Sequence, residues 1–124
     1  MEETQFSIYV WNKLSQHLKT SSFQMSDKEA AWEKDDALSV IEVFREFQIA
    51  VNGIEFFFFK GKNKPLQATS NIFSADKLKS ETWEAFVLRS CENAKSFVIR
   101  KYLDESAVSD GKPIFNIWAS AEKE

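Results

Sequence analysis

His17 and Cys91 are the only histidine and the only cysteine of the chain, so any Cys–His catalytic pair would have to consist of these two side chains. A nucleophilic cysteine needs a lowered pKa, which a helix N-terminus or basic neighbours provide. Cys91 instead lies inside an apolar helical pattern and is followed by Glu92, so we expect a buried, structural thiol. A single cysteine also excludes an internal disulfide and fits a reducing compartment.

Motifs for nucleotide cofactors and for serine hydrolysis do not occur in the sequence. Glycine is present only at positions 53, 61 and 111, so neither a Walker loop nor a dinucleotide-binding fingerprint can be written. The sequence also lacks a Gly-x-Ser-x-Gly elbow. We therefore expect no cofactor and no metal centre, and a binding protein in preference to an enzyme. A small catalytic or ligand-binding domain ranks third, after a protein-binding module and a nucleic-acid-binding domain.

Carboxylates are the more numerous candidate groups. Glu29, Glu33 and Asp36 fall at i, i+4 and i+7, which on a helix places three carboxylates along one face. Such a row could bind Mg²⁺ or Ca²⁺ or act as an acid–base pair, but a solvated helix face is the simpler interpretation. Together with Asp35, these residues could also form an acidic surface for a basic protein partner, which needs no special geometry.

The aromatic content is unusual, with twelve Phe and four Trp in the chain. Because each ring buries about 150–250 Å², most of them are expected in the core. Tryptophan is also enriched in binding hot spots, so one of the four could anchor a protein interface. Trp32 is flanked by charged residues, and we predict that its ring is exposed on the same acidic surface.

A basic turn follows the aromatic run Phe56–Phe59 and supports a second interpretation. Exposed rings beside lysines stack bases and hold phosphates in nucleic-acid-binding sheets. However, no RNP-like motif is present and the net charge is −3, so nucleic acid ranks below a protein as the partner. The residues of this alternative site are Phe57, Phe59, Lys60, Lys62 and Lys64.

Two helices are predicted near the N-terminus. Apolar residues recur at helical spacing from Thr4 to Lys19, which predicts one helix, although Phe6–Val10 could open as a strand. Ser26 and Glu29 have the spacing of a capping box, which predicts a second helix that begins near Asp27.

Residues 37–59 fit two templates. As a helix, the segment buries one face and is capped by Gly53. As a hairpin, Asn52-Gly53 forms a type I′ turn that pairs Val51 with Ile54. The β-branched and aromatic content favours the hairpin, and the helix is the alternative. The apolar face of that helix would consist of Val40, Ile41, Phe44, Phe47 and Val51.

The second half of the chain predicts alternating turns, strands and one long helix. The last strand has apolar residues on both faces, which is typical of an interior strand or of an edge strand that another element covers. In order, the predicted elements are a turn at Lys60–Pro65, a strand over Leu66–Phe73, a helix from Ser74 or Ser80 to Tyr102, a strand over Pro113–Ala119 and a frayed tail over residues 120–124.

These elements predict one α+β domain over residues 1–124, with N-terminal helices, an antiparallel hairpin or meander, a long amphipathic helix and a final strand. The composition is 44% hydrophobic and 28% charged. No run reaches the roughly 18 apolar residues of a membrane helix. Because the acidic start Met1-Glu2-Glu3 is unlike a secretory signal, we expect a cytoplasmic protein that does not bind a membrane.

Small acidic α+β domains commonly hold another protein, as toxin-neutralising immunity proteins and secretion chaperones do. By this analogy of size, charge and fold class, we expect a non-catalytic interaction module that binds a basic protein. The sequence leaves a homodimer open. The predicted contact residues are Glu29, Trp32, Glu33, Asp35 and Asp36.

Overall fold

Four helices and five strands form a mixed α+β fold over the residues that a computed structural model describes, namely 5–26, 29–61, 67–105 and 111–122. This architecture confirms the predicted fold class. In chain order the elements are α1 (Ile8–Trp11), α2 (Gln16–Ser21), β1 (Phe23–Ser26), β2 (Glu29–Trp32), α3 (Lys34–Glu46), β3 (Ile49–Phe59), β4 (Gln67–Ser74), α4 (Trp83–Glu105) and β5 (Lys112–Ala121).

The five strands form one antiparallel sheet in the order β1-β2-β5-β3-β4. The last strand of the sequence, β5, is therefore the central one, and its Asn116 pairs with Ala31 of β2. This confirms the interior strand predicted over Pro113–Ala119. The predicted fraying of residues 120–124 is wrong for Ser120 and Ala121, because both pair with β3.

The helices α3 and α4 contact each other and cover one face of the sheet. From α3, Val40, Ile41 and Phe44 are fully buried, as expected for an amphipathic helix on a core. The sheet contributes Phe56 and Phe115, whose ring centroids lie 5.2 Å apart in an edge-to-face arrangement. Much of the aromatic content is therefore used in the core.

The segment 37–59 is divided between its two templates. The helical template holds as far as Glu46, where α3 ends, and the strand template holds from Ile49, where β3 begins. Phe47 and Gln48 form the turn between them, and Gln48 has a positive φ of 59°.

The type I′ turn predicted at Asn52-Gly53 is wrong. β3 continues through this dipeptide with a bulge between Val51 and Gly53, and its partners β5 and β4 lie on either side. A Cβ on Gly53 would lie 3.1 Å from the carbonyl oxygen of Phe73, so glycine permits the close approach of β4.

The N-terminal segment forms two short helices instead of the single helix predicted over Thr4–Lys19. Ser7 caps α1 by accepting a hydrogen bond from the backbone N–H of Val10 at 3.2 Å. Ser15 caps α2 in the same way by accepting one from Leu18 at 3.3 Å. Serine at each position satisfies backbone donors locally, so the chain restarts a helix at Ser15. Thr4 lies outside the described residues.

The helix predicted to begin near Asp27 begins at Lys34 instead. Ser26 and Glu29 belong to β1 and β2 and face each other in the ladder. In this arrangement the strand ladder, not a helix cap, provides the partners for the backbone. Asp27 itself lies outside the described residues.

The predicted long helix and the strand before it are confirmed as α4 and β4. The residue that caps α4 differs from the two candidates, Ser74 and Ser80. Thr82 takes this role, because its Oγ1 accepts a hydrogen bond from the backbone N–H of Ala85 at 3.1 Å.

Candidate partner-binding surfaces

The N-terminal end of α3 carries three of the predicted contact residues. Glu33 occupies the N-cap position and Asp35 and Asp36 the first turn, where the helix dipole favours negative charge. Their side chains line one open cleft of about 530 Å³, together with Tyr102 and Lys112. Asp35 is the most accessible, with 88% of its side chain exposed. We call Glu33, Asp35 and Asp36 the acidic end of α3.

Each carboxylate of the acidic end has a basic neighbour in the same chain. Lys34 Nζ lies 3.1 Å from Asp35 Oδ1, Lys112 Nζ lies 3.8 Å from Glu33 Oε1, and His17 Nε2 lies 3.6 Å from Asp36 Oδ1. Lys34 Nζ also lies 4.5 Å from the centroid of the Tyr102 ring. The negative charge at this end is therefore partly balanced within the fold.

The predicted exposure of Trp32 is wrong, because its side chain is 0% exposed. Trp32 alternates with Ala31 on β2, and its side chain joins the core. Its indole Nε1 donates a hydrogen bond to the backbone carbonyl of Leu18 at 2.7 Å, and its ring packs near those of Phe6 and Trp11. Charged sequence neighbours did not reveal this, since strand residues alternate between faces.

Glu29 does not join the other three carboxylates. It is half-buried on β2, whereas Asp36 lies on α3, so the predicted helical row of Glu29, Glu33 and Asp36 is wrong. The structure brings together only Glu33, Asp35 and Asp36 around the cleft.

The alternative nucleic-acid site is described only in part. Phe57 and Phe59 are half-buried and alternate with the core residues of β3, so they lie on the sheet face opposite to α3 and α4. The Phe59 ring packs against that of Phe23 at 4.8 Å. Lys60 is exposed, and the other two lysines of this site, Lys62 and Lys64, lie outside the described residues.

Cys91 and His17 offer no nucleophilic pair in this fold. Cys91 is buried in α4, where its Sγ lies 3.7 Å from the backbone carbonyl of Ile49. Desolvation raises the pKa of the thiol to about 11, so little thiolate exists at neutral pH. His17 is exposed and faces Asp36. In the described part of the chain, no group of three or more His, Cys, Asp or Glu residues is arranged to hold a metal ion.

A second candidate surface, which the sequence did not reveal, lies at the C-terminal end of α3. Two clefts of about 570 Å³ and about 530 Å³ adjoin there, since Gln48 and Glu84 line both. Tyr9 and Phe47 expose their rings at this point, by 51% and 44%. We define the Tyr9–Phe47 surface as Tyr9, Glu46, Phe47, Trp83, Glu84 and Glu122.

Comparison with protein families identifies the kind of protein. A model of the family described as Immunity protein 40 matches residues 17–117, which is more than half of the chain. The chain belongs to the Immunity protein 40 family. No curated protein and no solved structure gave a match.

Membership of the Immunity protein 40 family supports a role in immunity that depends on binding another protein, a toxin. The matched residues run from α2 into β5 and include the whole of α3. None of the helices in the described ranges has the length and hydropathy that crossing a membrane requires.

Proposed function

We propose that this Immunity protein 40 family member neutralises a toxin in the cytoplasm by binding a basic surface of that toxin. The acidic end of α3 attracts and contacts the partner, and Glu29 contributes from β2, away from that end. Trp32 contributes from the core, since its packing holds the end of the strand that leads to Glu33. A buried free thiol such as Cys91 is compatible with a reducing compartment.

One observation is the main support for a basic partner: the three carboxylates of the acidic end line a single open cleft. Their ion pairs with Lys34 and Lys112 lie at the surface, where Lys112 is exposed and Lys34 is half-buried. Such pairs contribute only about 0–1 kcal/mol each, so cations of a partner can replace them at little cost. The net charge of −3 adds a long-range attraction for a basic protein.

The first step of the test is to identify the partner. The tagged full chain is recovered from its own cells after nuclease treatment, and a protein that accompanies it in stoichiometric amount is expressed separately and purified. Its toxicity is then measured in cells with and without this chain. We expect the partner to be toxic alone and harmless when this chain is present. Recovery of no protein, or of a harmless one, would contradict the proposed function.

The acidic end is tested by the triple variant Glu33→Gln, Asp35→Asn, Asp36→Asn. If each charge contributes about 0.5 kcal/mol, the Kd for the purified partner rises about tenfold at low salt, and less at high salt. The matched control neutralises three carboxylates elsewhere, Glu55→Gln, Asp76→Asn and Asp104→Asn, and changes the net charge equally. Equal affinity of the two triple variants would contradict a specific role of the acidic end.

Nucleic-acid binding is the second candidate, and the exposed Lys60 beside half-buried rings is the observation that favours it. Nuclease treatment distinguishes the two candidates. If the molecules that accompany the tagged chain are lost after nuclease treatment, the binding site is assigned to the alternative residues, which are Phe57, Phe59, Lys60, Lys62 and Lys64. A gel shift that is lost when the three lysines are changed to Glu would then be expected.

A further inference from the structure

The Tyr9–Phe47 surface combines exposed rings with a bound cation of the same chain. Lys13 Nζ lies 4.7 Å from the centroid of the Tyr9 ring and 5.0 Å from that of Phe47. Both distances are within the roughly 6 Å of a cation–π contact. The two rings therefore hold the ammonium group of Lys13, and they border an open cleft that both apolar and acidic side chains line.

The carboxylates of this surface are not neutralised by the fold. In the ranges that the structure describes, none of Glu46, Glu84 and Glu122 forms an ion pair. Arg45 lines one of the two clefts, together with Glu46 and Glu84. Lys13, whose Nζ lies over both rings, is a second cation at this surface. Because three carboxylates exceed one guanidinium and one ammonium group, the surface around the rings keeps an excess of negative charge.

Trp83 fixes the Tyr9–Phe47 surface to the core of the protein. Trp83 Nε1 donates a hydrogen bond to the backbone carbonyl of Gln48 at 2.8 Å, which ties the start of α4 to the turn after α3. The Trp83 ring also packs edge-on against Phe86, a core residue, at 5.5 Å. A surface that is positioned before binding loses less conformational entropy when a partner arrives.

We propose that the Tyr9–Phe47 surface is the anchoring site for the toxin. It takes a segment with an apolar side chain flanked by lysine or arginine: the apolar group packs on the exposed parts of the Tyr9 and Phe47 rings, beside Lys13, and the cations face Glu46, Glu84 and Glu122. This inference rests on the proposed function, since the occupant is a part of the same toxin. Aromatic side chains in such positions typically dominate binding energy, whereas exposed charges contribute little.

Charge selects this occupant over a second copy of the chain. In a two-fold symmetric dimer the same patch meets itself, so the excess of carboxylates on one copy would meet the same excess on the other. Like charges brought together across an interface cost several kcal/mol. A partner with basic residues removes that penalty and gains from the same carboxylates.

Photo-cross-linking tests the location directly. A benzoylphenylalanine replaces Phe47 in the tagged full chain, and matched variants carry it at Asp35 and at Ile72, an exposed residue of β4. We expect the purified toxin to cross-link strongly at position 47, through a segment that contains lysine or arginine. Cross-linking at position 72 that equals that at position 47 would overturn the inference, as would adducts at position 35 alone.

Affinity provides the second readout. Tyr9→Ala and Phe47→Ala are each expected to raise the Kd for the purified toxin by about thirty-fold. Glu46→Gln with Glu84→Gln, which truncates no ring, is expected to raise it by about fivefold. The control is Leu103→Ala, since Leu103 is equally apolar and 68% exposed at the other end of α4.

Unchanged affinity in the ring variants and in the double Gln variant would overturn the anchoring site and leave the proposed function intact. Failure of the unaltered chain to bind and neutralise any toxin would instead remove the proposed function itself. The two failures are therefore distinguishable.

Discussion

The two ends of α3 differ in how the fold treats their charges and rings. At the acidic end, Glu33, Asp35 and Asp36 each lie near a basic side chain of the same chain, and Trp32 is buried. At the other end, Glu46 is in no ion pair among the described residues, and Phe47 exposes almost half of its surface. Proximity of charged residues in sequence therefore does not identify charge that is available to a partner.

This difference assigns separate kinetic roles to the two ends in the proposed complex. Charges at a rim mainly change the association rate and its dependence on salt. Buried aromatic anchors mainly change the dissociation rate. We therefore expect the acidic end to attract a basic toxin and the Tyr9–Phe47 surface to retain it.

The largest expected effect is on the free energy of unfolding, and it tests whether Trp32 has a structural role. Trp32→Ala removes a fully buried ring and a hydrogen bond to Leu18, and we expect a loss of about 3–5 kcal/mol in the free energy of unfolding. Tyr9→Ala removes a half-exposed ring and should cost less than about 1 kcal/mol. Urea unfolding measures both, and equal losses would contradict the contrast between the two rings.

A smaller effect concerns the ion pair that holds the start of α4. Arg89 donates to both carboxylate oxygens of Glu81, at 2.7 and 2.8 Å, and this lowers the pKa of Glu81 from its ordinary 4.5 to about 2. A lowered pKa stabilises the fold above pH 4.5, and that contribution is lost as the pH falls from about 4.5 towards about 2.

Glu81→Gln should therefore reduce the urea midpoint at pH 6 and reduce it less at pH 3. Unfolding curves of the variant and the unaltered protein at both pH values measure this difference. An equal reduction of the urea midpoint at pH 6 and at pH 3 would show that the ion pair with Arg89 does not lower the pKa of Glu81. Glu84→Gln removes a carboxylate that forms no ion pair among the described residues, and it serves as the control.

The smallest expected effect lies in the turn that carries Phe47. Gln48 adopts a φ of 59°, which costs an L-residue about 1–2 kcal/mol and which glycine adopts freely. Because glycine also loses more entropy on folding, Gln48→Gly should raise the free energy of unfolding by less than about 1 kcal/mol. Gln48→Ala keeps the backbone strain and should not raise it. A loss of stability in the glycine variant would contradict this explanation.

Much of the fold follows from patterns along the chain. The strand over Pro113–Ala119 has apolar residues on both faces, which predicted an interior position. The stripe from Trp83 to Tyr102 predicted α4, because burial along one helix face leaves a helical period. The turn at Phe47-Gln48 could not be predicted from the sequence, since it contains neither glycine nor proline. The Asn52-Gly53 dipeptide, a strong turn signal, instead accommodates a bulge beside β4.

The candidate site was less accessible to sequence reasoning. Glu33, Asp35 and Asp36 were correctly expected to lie together, since they are neighbours in sequence. The basic side chains that face them, Lys112 and His17, come from distant segments, which local spacing does not reveal. The Tyr9–Phe47 surface depends entirely on tertiary structure, because it joins α1, the turn after α3 and the start of α4.

The most direct test of the account measures association and dissociation rates of the purified toxin at about 0.05 M and about 0.5 M salt. The proteins are the unaltered chain, the Glu33→Gln, Asp35→Asn, Asp36→Asn variant and the Phe47→Ala variant. We predict that the triple variant associates more slowly at low salt with an unchanged dissociation rate. Phe47→Ala should dissociate about thirty-fold faster, with little change in association. Dissociation of Phe47→Ala at the rate of the unaltered chain would contradict the account.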